Sequence, residues 1–202
     1  MNLYAGIGGN RRLWQNVEVT AVELNSEIAA IYQDFFPDDK MIIGDAHQYL
    51  LEHFAEYDFI WSSPPCQSHS KLGKIRALNN DIRTGSYLTK PRFPDMRLYE
   101  EIIFLQHFAK GFWVIENVQP YYEPLIKAQK AGRHLLWSNF NITRIKLPNV
   151  KIEKGVLADW YKVSGFDLSG YKLKTRKNTT LRNAVNPKLG LHVLKSALGD
   201  FI

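Results

Sequence analysis

Cys66 is the sole cysteine of the chain, and it stands in the run Ser63-Pro64-Pro65-Cys66-Gln67. A lone cysteine is by default a small buried hydrophobe. Here two prolines stiffen the backbone before it and a basic stretch opens after it, so a thiolate favoured by nearby positive charge is the competing expectation. Fifty residues later, Glu116-Asn117 closes another apolar run. A thiolate beside a carboxyl group suits addition to an electron-poor ring: sulfur attacks while the carboxyl supplies the proton or strong hydrogen bond that drains the ring. A second set of residues lies upstream, where Ala5-Gly6-Ile7-Gly8-Gly9, Glu23 and Asp45 each follow a short apolar run. Glycines let the backbone pass close to a ligand. A carboxylate at the second position can hold both hydroxyls of a ribose, and one at the third can accept from an adenine amino group. The glycine turn alone reads equally as a tight structural turn; together with both carboxylates it implies an adenosine-type ligand. The loop departs from the G-x-G-x-x-G dinucleotide pattern, which favours S-adenosylmethionine over NAD.

These groups converge only if the intervening elements place them on one edge. Residues 2–5 form a short apolar strand, a helix is expected from about Asn10 to Asn16, and Val17 to Glu23 reads as a second strand. Ser26 is a candidate N-cap for a helix with Ile28, Ile31 and Phe35 at helical spacing, ended by Pro37. Met41-Ile42-Ile43 is a third strand, Leu50 to Phe54 a helix, and Tyr57 to Trp61 a fourth strand. Residues 68–95 are too long for an ordinary connection and read as a lid. Helical periodicity returns over 96–110, followed by a buried strand from Phe112 to Ile115, a helix near 122–131 and a strand from Leu135 to Phe140. Residues 141–180 show no strong periodicity, and an apolar helix runs from Leu189 to Leu198. Alternating strands and helices predict an α/β fold with a doubly wound, mostly parallel sheet, which binds ligands at the carboxyl ends of its strands.

At 202 residues, with 45% hydrophobic and 23% charged residues, the chain suits one globular domain. One cysteine excludes an internal disulfide or a cysteine-based zinc cluster, and no metal is expected. The start, Met1-Asn2-Leu3-Tyr4, does not read as a signal peptide, and no apolar run has the length of a membrane span. A soluble, cytoplasmic protein is expected. The net charge is +6. Lys71, Lys74, Arg76, Arg83, Lys90, Arg92 and Arg97 crowd one stretch, and Lys172, Lys174, Arg176 and Lys177 crowd another, as suits a partner lined with phosphates.

The motifs taken together resemble the DNA cytosine-5 methyltransferases over nearly the whole chain. Asn2 to Gly9 is similar to that family's cofactor loop, with Tyr4 in place of an aromatic beside the adenine; Glu23 matches the ribose-binding acid, and Gly44-Asp45 the adenine contact. Asp58 to Ser70 matches the catalytic segment with Cys66 as nucleophile, and Glu116-Asn117-Val118 the Glu-Asn-Val triplet. Gln129-Lys130-Ala131-Gly132-Arg133 resembles a Gln-x-Arg-x-Arg segment whose second arginine, Arg133, would hold the cytosine O2. Arg182 to Pro187 resembles the closing segment, which packs beside the cofactor loop with Asn183 near the methionine end.

The resemblance implies a Rossmann-like S-adenosylmethionine-dependent methyltransferase that modifies carbon 5 of cytosine in double-stranded DNA, in a prokaryotic or phage-infected cell, with a cognate restriction enzyme as a candidate partner. Cys66, Glu116, Asn117 and Arg133 would carry the chemistry, Asn117 by orienting the catalytic segment. Tyr4, Ala5, Gly6, Gly8, Gly9, Glu23, Asp45, Pro65, Asn183 and Val185 would hold the cofactor, and Gln67, Ser68, Ser70 and Arg76 the substrate. Residues 1–140 would form the catalytic and cofactor-binding domain, 141–180 a reduced target-recognition region, and 181–202 a segment completing the domain. Asn2, Leu24, Ala131 and Arg182 depart from the family's usual aspartate, aromatic, arginine and glycine. A tRNA cytosine-5 methyltransferase is the nearest alternative, because that branch also reads Ser-Pro-Pro-Cys-Gln; it carries in addition a Cys-Phe-Thr sequence that this single-cysteine chain lacks. An amino-methyltransferase would have an aromatic where Cys66 stands, and a non-enzymatic DNA-binding module would not need Cys66, Glu116 and Arg133 together.

Overall fold

The computed structural model describes residues 1–78, 90–147 and 157–199. Its strands are β1 (Asn2–Leu3), β2 (Thr20–Glu23), β3 (Lys40–Ile43), β4 (Phe59–Ser62), β5 (Phe112–Val118), β6 (Gln129–Ala131) and β7 (His134–Ser138). They make one seven-stranded sheet in the order β3-β2-β1-β4-β5-β7-β6. The first five strands pair in parallel, and β7 runs antiparallel to both β5 and β6. The helices are α1 (Ser26–Phe35), α2 (Ala46–His53), α3 (Lys71–Leu78), α4 (Arg97–Phe108), α5 (Leu157–Ser164), α6 (Lys177–Asn183) and α7 (Pro187–Leu198).

Successive strand side chains point to opposite faces, so each strand feeds two cores. Leu3, Val22, Ile60, Trp113, Ile115, Leu135 and Trp137 pack with α2 and α4 through Leu50, Leu98, Ile102 and Leu105. On the other face Phe59, Trp61, Val114 and Leu136 meet Leu189, Val193 and Leu194 of α7. Ala21 meets Ile31 and Tyr32 of α1, together with Phe166, Leu168 and Leu181. The sheet is therefore covered on both faces, as a doubly wound α/β fold requires. No helix among the described residues is long and apolar enough to cross a membrane.

Several local expectations are corrected. The helix expected from Asn10 to Asn16 is a single 3₁₀ turn, Arg11–Leu13. Arg11 is held in a fork on both Asp39 oxygens at 2.9 and 3.0 Å. No helix forms over 122–131: Pro120 and Pro124 interrupt the segment, and its end becomes β6. The strand expected at Leu135 to Phe140 starts one residue earlier, at His134, and closes a hairpin through Gly132-Arg133. Helices α5 and α6 lie in the stretch read as aperiodic. Arg83 lies outside the described residues, as does the side chain of Arg76.

Candidate active site

Register brings the chemistry to one edge. Leu3 sits beside Val22 on one side and Ser62 on the other, Ser62 pairs with Ile115, and Glu23 with Ile43. The segments that leave the strands at this row are Tyr4 to Gly9, the turn after Glu23, Gly44-Asp45, Ser63 to Cys66 and Glu116-Asn117. All are at carboxyl ends of parallel strands, where loops and helix N-termini leave space for a ligand.

The upstream half is a cradle with one open wall. Tyr4 adopts a left-handed conformation (φ 53°), which for a non-glycine residue costs of order 1–2 kcal/mol. Its hydroxyl compensates by donating to Glu101 at 2.6 Å. Gly6 also lies at positive φ (55°), its backbone N–H donates to Glu23 Oε2 at 3.0 Å, and a Cβ there would meet nothing within 4 Å. Asn25 N–H donates to the other Glu23 oxygen at 2.9 Å. A Cβ on Gly44 likewise meets open space, and Leu24 and Ile43 beside it are exposed. Asp45 caps α2 by accepting from His47 N–H at 2.9 Å, and its other oxygen lies 3.8 Å from Arg97. An open rim with apolar flanks, carboxylates and accessible backbone fits an adenosine-bearing cofactor.

Gly9 has a different task. A Cβ there would come within 2.7 Å of the Val185 backbone nitrogen, so the glycine lets the loop lie directly on the closing segment. Val185 is buried and Asn183 exposed at the end of α6.

The downstream half holds Cys66, the expected nucleophile. Cys66 is half-buried, and its carbonyl accepts from His69 and Ser70 N–H at 3.1 and 3.0 Å, which folds the chain back at once. Asn117, 1% exposed, donates from Nδ2 to the Pro64 carbonyl at 3.0 Å, and its Oδ1 accepts from Val118 N–H at 2.9 Å. It clamps the backbone two residues before Cys66. Pro65 is exposed, as is Gln67. Ser68 and Ser70 have their hydroxyls engaged locally, accepting from Asp95 N–H and Gly73 N–H at 3.0 Å each.

The electrostatics correct one expectation. Positive charge does not dominate at Cys66. Burial pushes its thiol upward from the ordinary range and the Glu116 carboxylate adds to the rise, while Arg133 and Arg182 pull down with less effect. Cys66 is therefore mainly a thiol at rest.

Two carboxylate partners were not visible in the sequence. Glu101 on α4 is buried at the hub of the edge, where it accepts from Tyr4, from Ser62 Oγ at 2.6 Å and from His47 Nδ1 at 3.0 Å. His134 follows the hairpin turn and meets Glu116 Oε1 through Nδ1. Hairpin pairing was its signal: opposite Val118, it stands diagonal to Glu116 on one sheet face.

Residues 1–90 match the family described as C-5 cytosine-specific DNA methylase. A stretch of 69 residues is 35% identical to the Type II methyltransferase M1.HgaI of Avibacterium volantium, covering 31% of this chain and 19% of the relative. A stretch of 121 residues is 26% identical to the Type II methyltransferase M.FnuDI of Fusobacterium nucleatum, covering 59% and 32%. Residues 1–90 are thus similar to the C-5 cytosine-specific DNA methylases. The human tRNA (cytosine(38)-C(5))-methyltransferase is also similar, 28% identical over 122 residues, covering 56% of this chain and 31% of the relative. The chain thus spans no more than about a third of the length of these relatives. C-5 cytosine methyltransferases depend on S-adenosylmethionine, and the cradle from Tyr4 to Asp45 has the open space and the hydrogen-bonding groups that cofactor needs.

Proposed function

We propose that this protein transfers a methyl group from S-adenosylmethionine to carbon 5 of cytosine in DNA, with Cys66 adding covalently to carbon 6. The observation that carries the reading is the meeting of Cys66 and Glu116 at neighbouring strand ends, with Asn117 locking the backbone between them. Cytosine C6 is a poor electrophile until N3 accepts a proton or a strong hydrogen bond. In this reading Glu116 supplies that proton, Cys66 sulfur bonds to C6, and electron density gathers at C5. Arg133, exposed at the hairpin turn, holds the base's carbonyl oxygen. The cofactor supplies the methyl group that C5 takes. Loss of the C5 proton to solvent and breakage of the C–S bond restore the aromatic ring and return the N3 proton to Glu116, and the freed Cys66 thiolate regains the proton that its thiol gave to solvent on attack. Tyr4, Ala5, Gly6, Glu23 and Asp45 hold the cofactor, and Gly8, Gly9, Asn183 and Val185 shape the wall behind it.

Target reading falls to few residues. Phe166 and Leu168 are fully buried against α1, so part of the stretch from 141 to 180 belongs to the core. Each bidentate base contact discriminates by about 1–3 kcal/mol, and two or three of them support a site of roughly 2–4 base pairs. The base has to leave the helix to reach Cys66, at a cost of a few kcal/mol.

DNA containing 5-fluorocytosine should form a denaturation-resistant complex with the wild-type protein and none with Cys66→Ala, because fluorine at C5 blocks the final elimination. Bisulfite sequencing after incubation with unmodified DNA and cofactor then reads the site. The similarity to a tRNA methyltransferase favours RNA as the second reading. Trapping on 5-fluorocytosine tRNA and not on DNA would select it, and trapping on neither would defeat both.

A further inference from the structure

Both oxygens of Glu116 are occupied at rest. Ser63 Oγ donates to Oε2 at 3.0 Å while itself accepting from Trp61 Nε1 at 2.8 Å, and His134 Nδ1 meets Oε1. The other nitrogen of His134 decides its tautomer. Arg133 Nε lies 3.0 Å from His134 Nε2, and a guanidinium only donates. Nε2 therefore carries no proton, and the ring hydrogen sits on Nδ1, aimed at Glu116. The resting arrangement is a neutral imidazole donating to a carboxylate anion.

That arrangement cannot protonate a base, and the same anion holds the Cys66 thiol up. One proton delivered to Glu116 removes both obstacles, since it supplies the hydrogen for N3 and takes a negative charge from beside the sulfur. His134 is 7% exposed, so its access to solvent protons is controlled by what covers Nε2. The cover is Arg133, an exposed residue whose other described hydrogen bond is a long one, 3.5 Å from Nη2 to the Arg182 carbonyl.

We propose that His134 is a positioning residue that fixes Glu116 in the crevice and passes it a proton when Arg133 turns from His134 toward the substrate. The inference rests on the functional reading above. As Arg133 leaves, Nε2 takes a proton from solvent and the ring becomes an imidazolium. The Nδ1 proton then passes to Glu116 Oε1, leaving a neutral imidazole protonated on Nε2 and a neutral carboxyl. One solvent proton has moved to Glu116, and return of Arg133 reverses the sequence. Among the described residues, Arg133 on the hairpin contacts His134, and Glu116, Arg133 and Arg182 on α6 act together on Cys66 after β4.

Two measurements test this. Side-chain ¹⁵N NMR of the substrate-free protein should show His134 protonated on Nδ1 and bare on Nε2, and Arg133→Ala should speed exchange of the His134 ring proton with solvent several-fold, because the group covering Nε2 is gone. An Nε2-protonated ring, or an unchanged exchange rate in Arg133→Ala, overturns the proposal whether or not the protein methylates DNA. The second measurement is single-turnover methylation against pH. The wild-type profile should rise as Cys66 ionises and fall as the His134–Glu116 pair loses its proton. His134→Asn keeps an N–H near Glu116 but cannot titrate; it should bind cofactor normally, react about ten- to a hundredfold more slowly and lose the alkaline fall. A wild-type profile retained in His134→Asn overturns the relay. If the wild-type protein fails to trap 5-fluorocytosine on any nucleic acid, the functional reading fails, and the NMR result still decides the pairing.

Discussion

Cys66 and Glu116 oppose each other at rest, because the carboxylate charge helps to hold the thiol up. Burial is the larger cause of the raised thiol and the Glu116 charge the smaller, so removing that charge should restore only part of the ordinary acidity. Glu116→Gln should therefore speed alkylation of Cys66 by iodoacetamide several-fold at pH 7.5, and Arg133→Ala should slow it, with mass spectrometry on this single-cysteine chain as the readout. Equal rates in wild type and Glu116→Gln would show that the carboxylate does not reach the sulfur. Asn117 acts on the same sulfur through the backbone. Replacing it with alanine leaves the buried Pro64 carbonyl without that donor, at an expected cost of about 1–3 kcal/mol in denaturant melts.

At the scale of elements, the cradle depends on how closely its loop lies against the closing segment. Alternating strand residues build two faces, but nothing in that alternation sets the distance between the glycine loop and Val185. Gly9 sets it. A methyl group there meets backbone on the other side, which cannot rotate away as a side chain can. Gly9→Ala should cost about 1–3 kcal/mol in thermal or denaturant stability and weaken S-adenosylmethionine binding in calorimetry. Gly6→Ala places its methyl in open space but keeps the left-handed backbone, so strain, not overlap, limits it. Cofactor affinity unchanged in Gly9→Ala would separate the closing segment from the cradle.

Over the whole molecule, Glu101 joins β1, β4, α2 and α4 through Tyr4, Ser62 and His47. A buried carboxylate persists only when its oxygens are satisfied, and hydrogen bonds to a charged group contribute about 1.5–3 kcal/mol each. His47 is raised chiefly by its hydrogen bond to Glu101, with further help from the charges of Glu101 and Glu100 against burial and Arg97. A histidine with a raised native pKa stabilises fully below its unfolded value of about 6.5, and the contribution fades as pH climbs through the higher native value. Urea melts at pH 6 and pH 8 should show wild type losing more stability on alkalinisation than His47→Asn. Identical losses in the two proteins would mean that His47 is not charged in the native state.

The glycine loop, the acids Glu23 and Asp45, the proline-flanked Cys66 and the Glu-Asn pair were legible because each sits beside an apolar run, and a parallel sheet puts all such ends on one edge. The resemblance to the cytosine-5 methyltransferases rested on the same local order. Chain direction beyond β5 was not legible, because a short apolar run reads alike as helix or strand, and only pairing with β5 turned residues 129–138 into an antiparallel hairpin. That hairpin brings His134 to Glu116, and helix packing brings Glu101 under Tyr4. The charge state of Cys66 also belonged to the tertiary structure: neighbouring basic residues in sequence argued for a thiolate, while burial and a carboxylate from another strand decided for the thiol. Residue types disclose what a group can do; its proton is set by the groups that folding places within a few ångströms.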